Sequence, residues 1–144
     1  MQLLDSQIES FLAARAFAVV GASEDGSKYG HKVYACYLQN GLTVYPVNPY
    51  AQTILGNPVY RNLAALPEKV ESISIVTPPD VTERIIDEAI SLGVKNVWMQ
   101  PGADSRLAVE KGRKAGLNII SGGPCLLVVM RYREARTFDP NSAP

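Results

Sequence analysis

Ala16-Phe17-Ala18-Val19-Val20-Gly21-Ala22-Ser23 is the stretch on which the fold turns. Its apolar run has no polar alternation, which suits a strand buried on both faces of a parallel sheet, and Gly21 closes it. Two later runs repeat the design. Leu42 to Val47 leads into Asn48-Pro49, and Ser72 to Val76 leads into Thr77-Pro78-Pro79. Val94 to Met99 and Leu117 to Ile120 supply a fourth and a fifth strand.

Helical stripes separate these runs. Leu3, Leu4, Ile8, Phe11 and Leu12 predict a leading helix from Leu3 to Ala14 that packs on the domain. Val33, Cys36, Tyr37 and Leu38 form a second stripe that starts near Gly30 and stops at Asn40-Gly41, where the glycine suits a helix C-terminus. Prolines and glycines make Tyr50 to Tyr60 irregular, and a short helix is expected over Asn62 to Leu66. Pro79 opens a helix whose buried side carries Val81, Ile85, Ile86, Ala89, Ile90 and Leu92. Ser105 to Ala115 gives the next helix. Cys125 to Met130 reads equally as a short helix or a strand. Alternating β and α units predict an α/β, Rossmann-like, doubly wound parallel five-stranded sheet with helices on both faces and strand order 3-2-1-4-5.

The length of 144 residues predicts a single domain over residues 1–144, large enough to bury a core without disulfides or metal. Fourteen basic and fourteen acidic residues balance, so the chain lacks the basic field that holds nucleic acid. No apolar run reaches the roughly 18 residues that span a bilayer. Two distant cysteines, Cys36 and Cys125, and an amino terminus without a signal core point to a soluble protein of the reducing cytoplasm.

Loops that end parallel strands share one rim of the sheet, and where the strand order reverses they border a ligand crevice. Here those loops are small or polar and suit a nucleotide-like cofactor. Gly21-Ala22-Ser23-Glu24-Asp25-Gly26 departs from the dinucleotide fingerprint G-x-G-x-x-G, with Ser23 in place of the second glycine. Phosphate-binding logic survives: the Ser23 hydroxyl and loop amides offer donors, Gly30 clears space, and the following helix turns its positive end to an anion. An ordinary tight turn is the competing reading. Strand two ends Pro46-Val47-Asn48-Pro49, without the carboxylate that takes ribose hydroxyls in NAD sites, which counts against NAD. Asn48 then either meets an adenosine group or caps its own turn. Thr77-Pro78-Pro79 is either a stiff wall along the ligand or simply a helix start. Gln100-Pro101-Gly102-Ala103 forms a fourth rim loop with a neutral hydrogen-bonding group. His31 lies beside the phosphate loop, either near an anion or as a half-exposed structural imidazole. Cys36 falls on an apolar stripe and reads as core. The tyrosines 29, 34, 37, 45, 50 and 60 read as packing aromatics with wet hydroxyls rather than as platforms on which a nucleotide base stacks. Arg131, Arg133 and Arg136, interspersed with Glu134 and Asp139, read as a solvated tail, with contact to a ligand phosphate as the alternative, and Asn141 to Pro144 as a frayed end. No Ser-His-Asp or metal-ligand spacing is present in the sequence. Rim polarity without paired titratable groups points to binding rather than catalysis.

These residues, taken in order, resemble a known family. Gly21-Ala22-Ser23, Lys28-Tyr29-Gly30, Tyr45-Pro46-Val47-Asn48-Pro49, Ile54-Leu55-Gly56, Tyr60 with Leu63 and Leu66-Pro67, and Thr77-Pro78-Pro79 are similar to the small stand-alone CoA-binding domain proteins. Trp98-Met99-Gln100-Pro101-Gly102 and Pro124-Cys125-Leu126 resemble that stand-alone branch in particular. The fold of that family resembles the CoA-binding domain of the succinyl-CoA synthetase α subunit and of NDP-forming acyl-CoA synthetases. The resemblance implies coenzyme A or an acyl-CoA as ligand. It implies a diphosphate at Gly21, Ala22 and Ser23, a positive charge from Lys28, adenosine near Asn48 and Pro49, and a path lined by Thr77, Pro78 and Pro79. Tyr29, Gly30, His31, Val47, Gln100, Gly102 and Cys125 complete the candidate cofactor-binding set. Cys125 has two readings, a thiol that meets the sulfur end of CoA or a packing residue. The phosphorylated histidine and the ATP-binding domain of the synthetases have no counterpart in these 144 residues, and His31 does not correspond to that histidine, so a module that binds without catalysis is expected. The alternatives are an NAD(H)-binding redox-sensing module and a subunit of a split acyl-CoA ligase.

Overall fold

The computed structural model describes residues 2–134, so Arg136, Asp139 and Asn141 to Pro144 lie outside the described residues. The chain runs α1 (Gln2–Leu12), β1 (Phe17–Val20), α2 (Tyr29–Gln39), β2 (Val44–Val47), β3 (Thr53–Ile54), β4 (Asn57–Pro58), a 3₁₀ turn (Leu63–Ala65), β5 (Ser72–Ile75), α3 (Pro79–Ser91), β6 (Asn96–Met99), α4 (Arg106–Lys114), β7 (Asn118–Ile120) and α5 (Leu126–Val129). Five strands form a parallel sheet in the order β2-β1-β5-β6-β7, and β3 pairs with β4 as a separate antiparallel ribbon.

Counting only the strands of the main sheet, the order is 2-1-3-4-5, which corrects the expected 3-2-1-4-5. Pro46 explains why the third strand cannot sit outside the second. The Pro46 carbonyl points away from β1 and accepts from Tyr60 N at 3.0 Å. A strand residue's N–H lies on the same side as its C=O, so the donor that proline lacks belongs to that outer edge. Proline is tolerated at an edge and not between two partners. The outer edge is closed instead by one bridge, Val47 to Tyr60, with Asn48 N donating to Tyr60 O at 2.9 Å. The chain crosses beneath β1 and pairs β5 on its other side.

Alternate residues of the strands face two separate cores. Ala18, Val20, Ile73, Ile75, Val97, Met99 and Ile119 pack with Ile86 and Ala89 of α3 and Ala108 of α4. Phe17, Val19, Trp98 and Ile120 pack with Phe11 of α1, with Val33 and Tyr37 of α2 and with Leu126 of α5. Phe11 meets the Trp98 ring edge-on at 5.3 Å between centroids. Helices therefore cover both faces, as the continuous apolar strands require. Leu92, expected on the buried side of α3, is exposed, because it is the C-cap residue just beyond the last helical turn. Cys125 to Met130 resolves as helix, and Tyr50 to Tyr60 holds the β3–β4 ribbon.

The tyrosines divide. Tyr37 Oη bonds Ser74 Oγ at 2.7 Å inside the core, so its hydroxyl is not wet. Tyr50 is 93% exposed and packs on nothing that covers it. Among the described residues no helix is long and apolar enough to cross a membrane.

Candidate functional site

The strand order reverses between β1 and β5, so the crevice belongs where their carboxyl ends meet. Gly21 follows β1 there with φ +95°, and a side chain on it would run into the Val76 carbonyl at 2.1 Å. Gly30, in the first turn of α2, lies against the Gly21 carbonyl, which a Cβ would meet at 2.0 Å. Two glycines face to face thus bring the amino-terminal turn of α2 onto the loop at residues 21–23. The first amides of a helix have no partner within it and carry its positive end. Ala22 is buried, while Ser23 is half-buried and Lys28 exposed as the residue preceding the helix.

Local hydrogen bonds hold this loop. Ser23 Oγ accepts from Asp25 N at 3.1 Å, and the Ser23 carbonyl contacts His31 Nδ1 at 2.8 Å, so the half-buried imidazole braces the loop. The Asp25 carboxylate takes both Ser27 N and Ser27 Oγ, which holds it below the usual carboxylate range. From the neighbouring strand, Asn48 Nδ2 donates to Ala22 O at 2.7 Å and Asn48 Oδ1 accepts from Tyr50 N at 2.8 Å. Asn48 therefore caps its own turn and ties that turn to the glycine loop. Val47 contributes by its backbone, accepting from Gly21 N at 3.0 Å, while its side chain belongs to the core. Pro49 is exposed at the rim.

Thr77, Pro78 and Pro79 stand at the end of β5. Thr77 Oγ1 and Thr82 Oγ1 are 2.8 Å apart, and Thr82 Oγ1 donates to Pro78 O at 3.2 Å, so the threonine pair locks the start of α3. Pro78 and Pro79 remain exposed, Pro78 as the N-cap and Pro79 as the first residue of α3. Gly102 is exposed with φ +93° in the turn after β6.

Gln100 departs most from its expected place. It is fully buried rather than displayed at the rim. Its Oε1 accepts from Leu126 N at 2.9 Å and from Tyr29 Oη at 3.3 Å, and Tyr29 Oη in turn contacts Cys125 Sγ. Tyr29, Gln100 and Cys125, which in the sequence are only three separate candidates, form one cluster. Tyr29 links it to the glycine loop, since the next residue is Gly30. Burial, then the contact with Cys125, pushes the Tyr29 hydroxyl pKa upward. The cysteines differ: Cys36 is a core thiol pushed up to about 11 mainly by burial, whereas Cys125 is partly exposed. Trp98 Nε1 holds the cysteine loop by donating to Pro124 O at 3.0 Å, and Asp104 Oδ2 accepts from Gly122 N at 2.8 Å. Neither Trp98 nor Asp104 stood among the candidates. Both are remote in sequence from the loop they hold, and only the β6–β7 pairing brings them to it.

Hydrogen bonds join the candidates into two groups, one of Ser23, His31 and Asn48 around the glycine loop and one of Tyr29, Gln100 and Cys125. A hollow of about 330 Å³ beside the 3₁₀ turn, lined by Leu63, Leu66, Lys69 and Leu92 among others, holds none of them. The described residues contain no cluster of three or more groups fit to hold a metal ion.

Comparison with known proteins covers most of the chain. A family profile described as a CoA binding domain matches residues 15–131. ADP-forming acetate–CoA ligase I of Archaeoglobus fulgidus is 29% identical over 83% of this chain and 19% of its own length. The alpha subunit of ADP-forming acetate–CoA ligase II of Pyrococcus furiosus is 28% identical over 85% of this chain and 29% of its own. The chain thus spans less than a third of either relative. A solved structure of a conserved hypothetical protein from Pyrococcus furiosus is 38% identical and superposes with a TM-score of 0.75, over 80% of this chain and 98% of that one.

Proposed function

The chain belongs to the CoA-binding domain family, and on that premise we propose that it binds coenzyme A or an acyl-CoA across the rim at the β1/β5 switch point, without catalysis of its own. The observation that carries this reading is the apposition of Gly30 on Gly21, which delivers the first amides of α2 to the loop at residues 21–23. A diphosphate at Gly21, Ala22 and Ser23 meets those donors and the helix's positive end, and Lys28 adds a flexible charge for phosphate. His31 and Asn48 hold the loop in shape from opposite sides. Adenosine lies toward Asn48 and Pro49, beside the exposed Tyr50 ring, and the pantetheine arm follows the wall formed by Thr77, Pro78 and Pro79.

The reading without catalysis is supported by the residues of the rim. Its titratable groups include Glu24, Asp25, Lys28, Tyr29, His31, Asp104 and Cys125. His31 braces a carbonyl, Asp25 holds Ser27, and Tyr29 is driven toward its neutral form. An NAD(H) module is disfavoured because β2 leads into Asn48 instead of an acid. Similarity to a ligase alpha subunit favours one second reading, a component of a split acyl-CoA ligase that requires an ATP-binding partner.

Titration calorimetry of the reduced protein with CoA, dephospho-CoA, acetyl-CoA, NAD and NADH tests the proposal. CoA binding that weakens about tenfold without the 3′-phosphate is expected, consistent with loss of one charge-assisted contact. Ser23→Tyr fills the phosphate approach and abolishes binding. Equal affinity for the nicotinamide cofactors, or unchanged CoA binding by Ser23→Tyr, would overturn the assignment.

A further inference from the structure

Gln100 Nε2 is the one buried side-chain nitrogen or oxygen without a hydrogen-bond partner among the described residues. The amide cannot be turned to mend this, since Leu126 N must donate to the oxygen. An unmet buried donor costs about 1–3 kcal/mol. Its head sits within the cluster formed by Tyr29, Cys125 and Leu126, at the only cysteine with surface exposure.

We propose that Tyr29, Gln100 and Cys125 form a subsite for the thiol end of CoA, in which Cys125 takes CoA as a mixed disulfide by exchange with CoA disulfide. This rests on the CoA reading above and adds to it a covalent state. Gln100 Nε2 donates to the carbonyl of the amide that joins the β-alanine and cysteamine units, the oxygen acceptor nearest the ligand sulfur, and so acquires its missing partner. In the exchange, Cys125 loses its proton and Sγ attacks one sulfur of CoA disulfide. The new Sγ–S bond forms as the old S–S bond breaks, and the electron pair leaves on the released CoA sulfur, which takes up a proton. Cys125 is oxidised and the released CoA is reduced, so no further oxidant enters.

Tyr29 fits this step because its hydroxyl has two neighbours, Gln100 Oε1 and Cys125 Sγ. With a neutral thiol, Tyr29 donates to Gln100 and accepts from Cys125. With the thiolate, the same hydrogen turns to sulfur, and Gln100 Oε1 keeps the Leu126 donor. Cys36 lacks these features: it is fully buried, and its sulfur contacts the Met130 carbonyl at 3.8 Å.

The test is intact-mass spectrometry with peptide mapping of reduced protein incubated with CoA disulfide or glutathione disulfide, alongside CoA calorimetry on the same sample. One CoA-sized, reductant-labile adduct on Cys125 is expected, forming about tenfold faster than the glutathione adduct because prior binding orients the sulfurs. Gln100→Met removes most of that preference, and Tyr29→Phe slows the exchange while leaving Cys36 unmodified. CoA binding without an adduct, an adduct on Cys36, or equal rates with both disulfides would overturn the subsite and leave the CoA reading intact. Failure of both adduct formation and CoA binding would overturn the two together.

Discussion

Strand β6 carries a buried carboxamide at each end, and the two are treated differently. Asn96, its first residue, lies in register between Ser72 and Asn118, the first residues of β5 and β7. Asn96 Nδ2 donates to Ser72 Oγ at 3.1 Å, and Asn96 Oδ1 accepts from Asn118 Nδ2 at 3.0 Å. The row is closed by α1, where Phe11 O accepts from Ser72 Oγ and Gln7 O from Asn118 Nδ2. Gln100, just beyond the other end of the strand, has a satisfied oxygen and an orphaned nitrogen. The closed end assembles structure, and the open end leaves a donor for something the chain does not supply.

The largest expected effect comes from crowding the glycine loop, at the same carboxyl-end side of the sheet as Gln100. Gly30→Ala puts a methyl group at the Gly21 carbonyl, a backbone atom that cannot swing aside. Overpacking of this kind costs about 3 kcal/mol. The expected outcome is a large drop in the urea midpoint together with loss of CoA binding in calorimetry, because α2 must retreat from the loop it delivers. A Gly30→Ala protein with wild-type CoA affinity would show that the glycine contact does not build the site.

The closed end offers the converse. Asn96→Ala leaves Ser72 and Asn118 each short of one partner, and its expected cost is about 2 kcal/mol. CoA affinity stays within about twofold, since coupling between sites separated by the length of a strand and sharing no partner is small. Urea unfolding and calorimetry on one preparation separate the two effects. A fall in affinity matching the fall in stability would mean the two ends are not independent.

The sequence shows the polar row at Asn96 poorly and the loops at the carboxyl ends of the strands well, for a physical reason. Gly21, Asn48 and Pro78-Pro79 are residues that turns and helix starts favour, so they mark strand ends without any knowledge of the partner strands. The five strands of the main sheet and the helices α1 to α4 follow from apolar runs and their punctuation, whereas residues 125–130 read equally as helix or strand. Strand order does not, because periodicity within a segment says nothing about its neighbours. Pro46 held the missing information: a donor absent from the second strand makes that strand an edge. The meeting of Tyr29, Gln100 and Cys125 was hidden because it joins the starts of two helices and the end of a strand, spread over 96 positions of chain from Tyr29 to Cys125. Ser72 and Asn118 look like strand-end polar residues individually, and only register aligns them with Asn96.

The smallest effect sharpens the comparison most. Gln100→Met keeps the length of the side chain and removes both the orphaned donor and the acceptor. Leu126 N and Tyr29 lose a partner, which destabilises, while the unmet Nε2 disappears, which stabilises. These opposing changes are each about 1 kcal/mol, so the net change in unfolding free energy is expected within about 1 kcal/mol of zero. Asn96→Ala has no such offset, because every hydrogen bond it deletes was made. Equal losses in the two variants, measured by urea unfolding without CoA, would place Gln100 among the structural amides. A near-neutral Gln100→Met that binds CoA more weakly would mark its nitrogen as a group whose partner is the ligand.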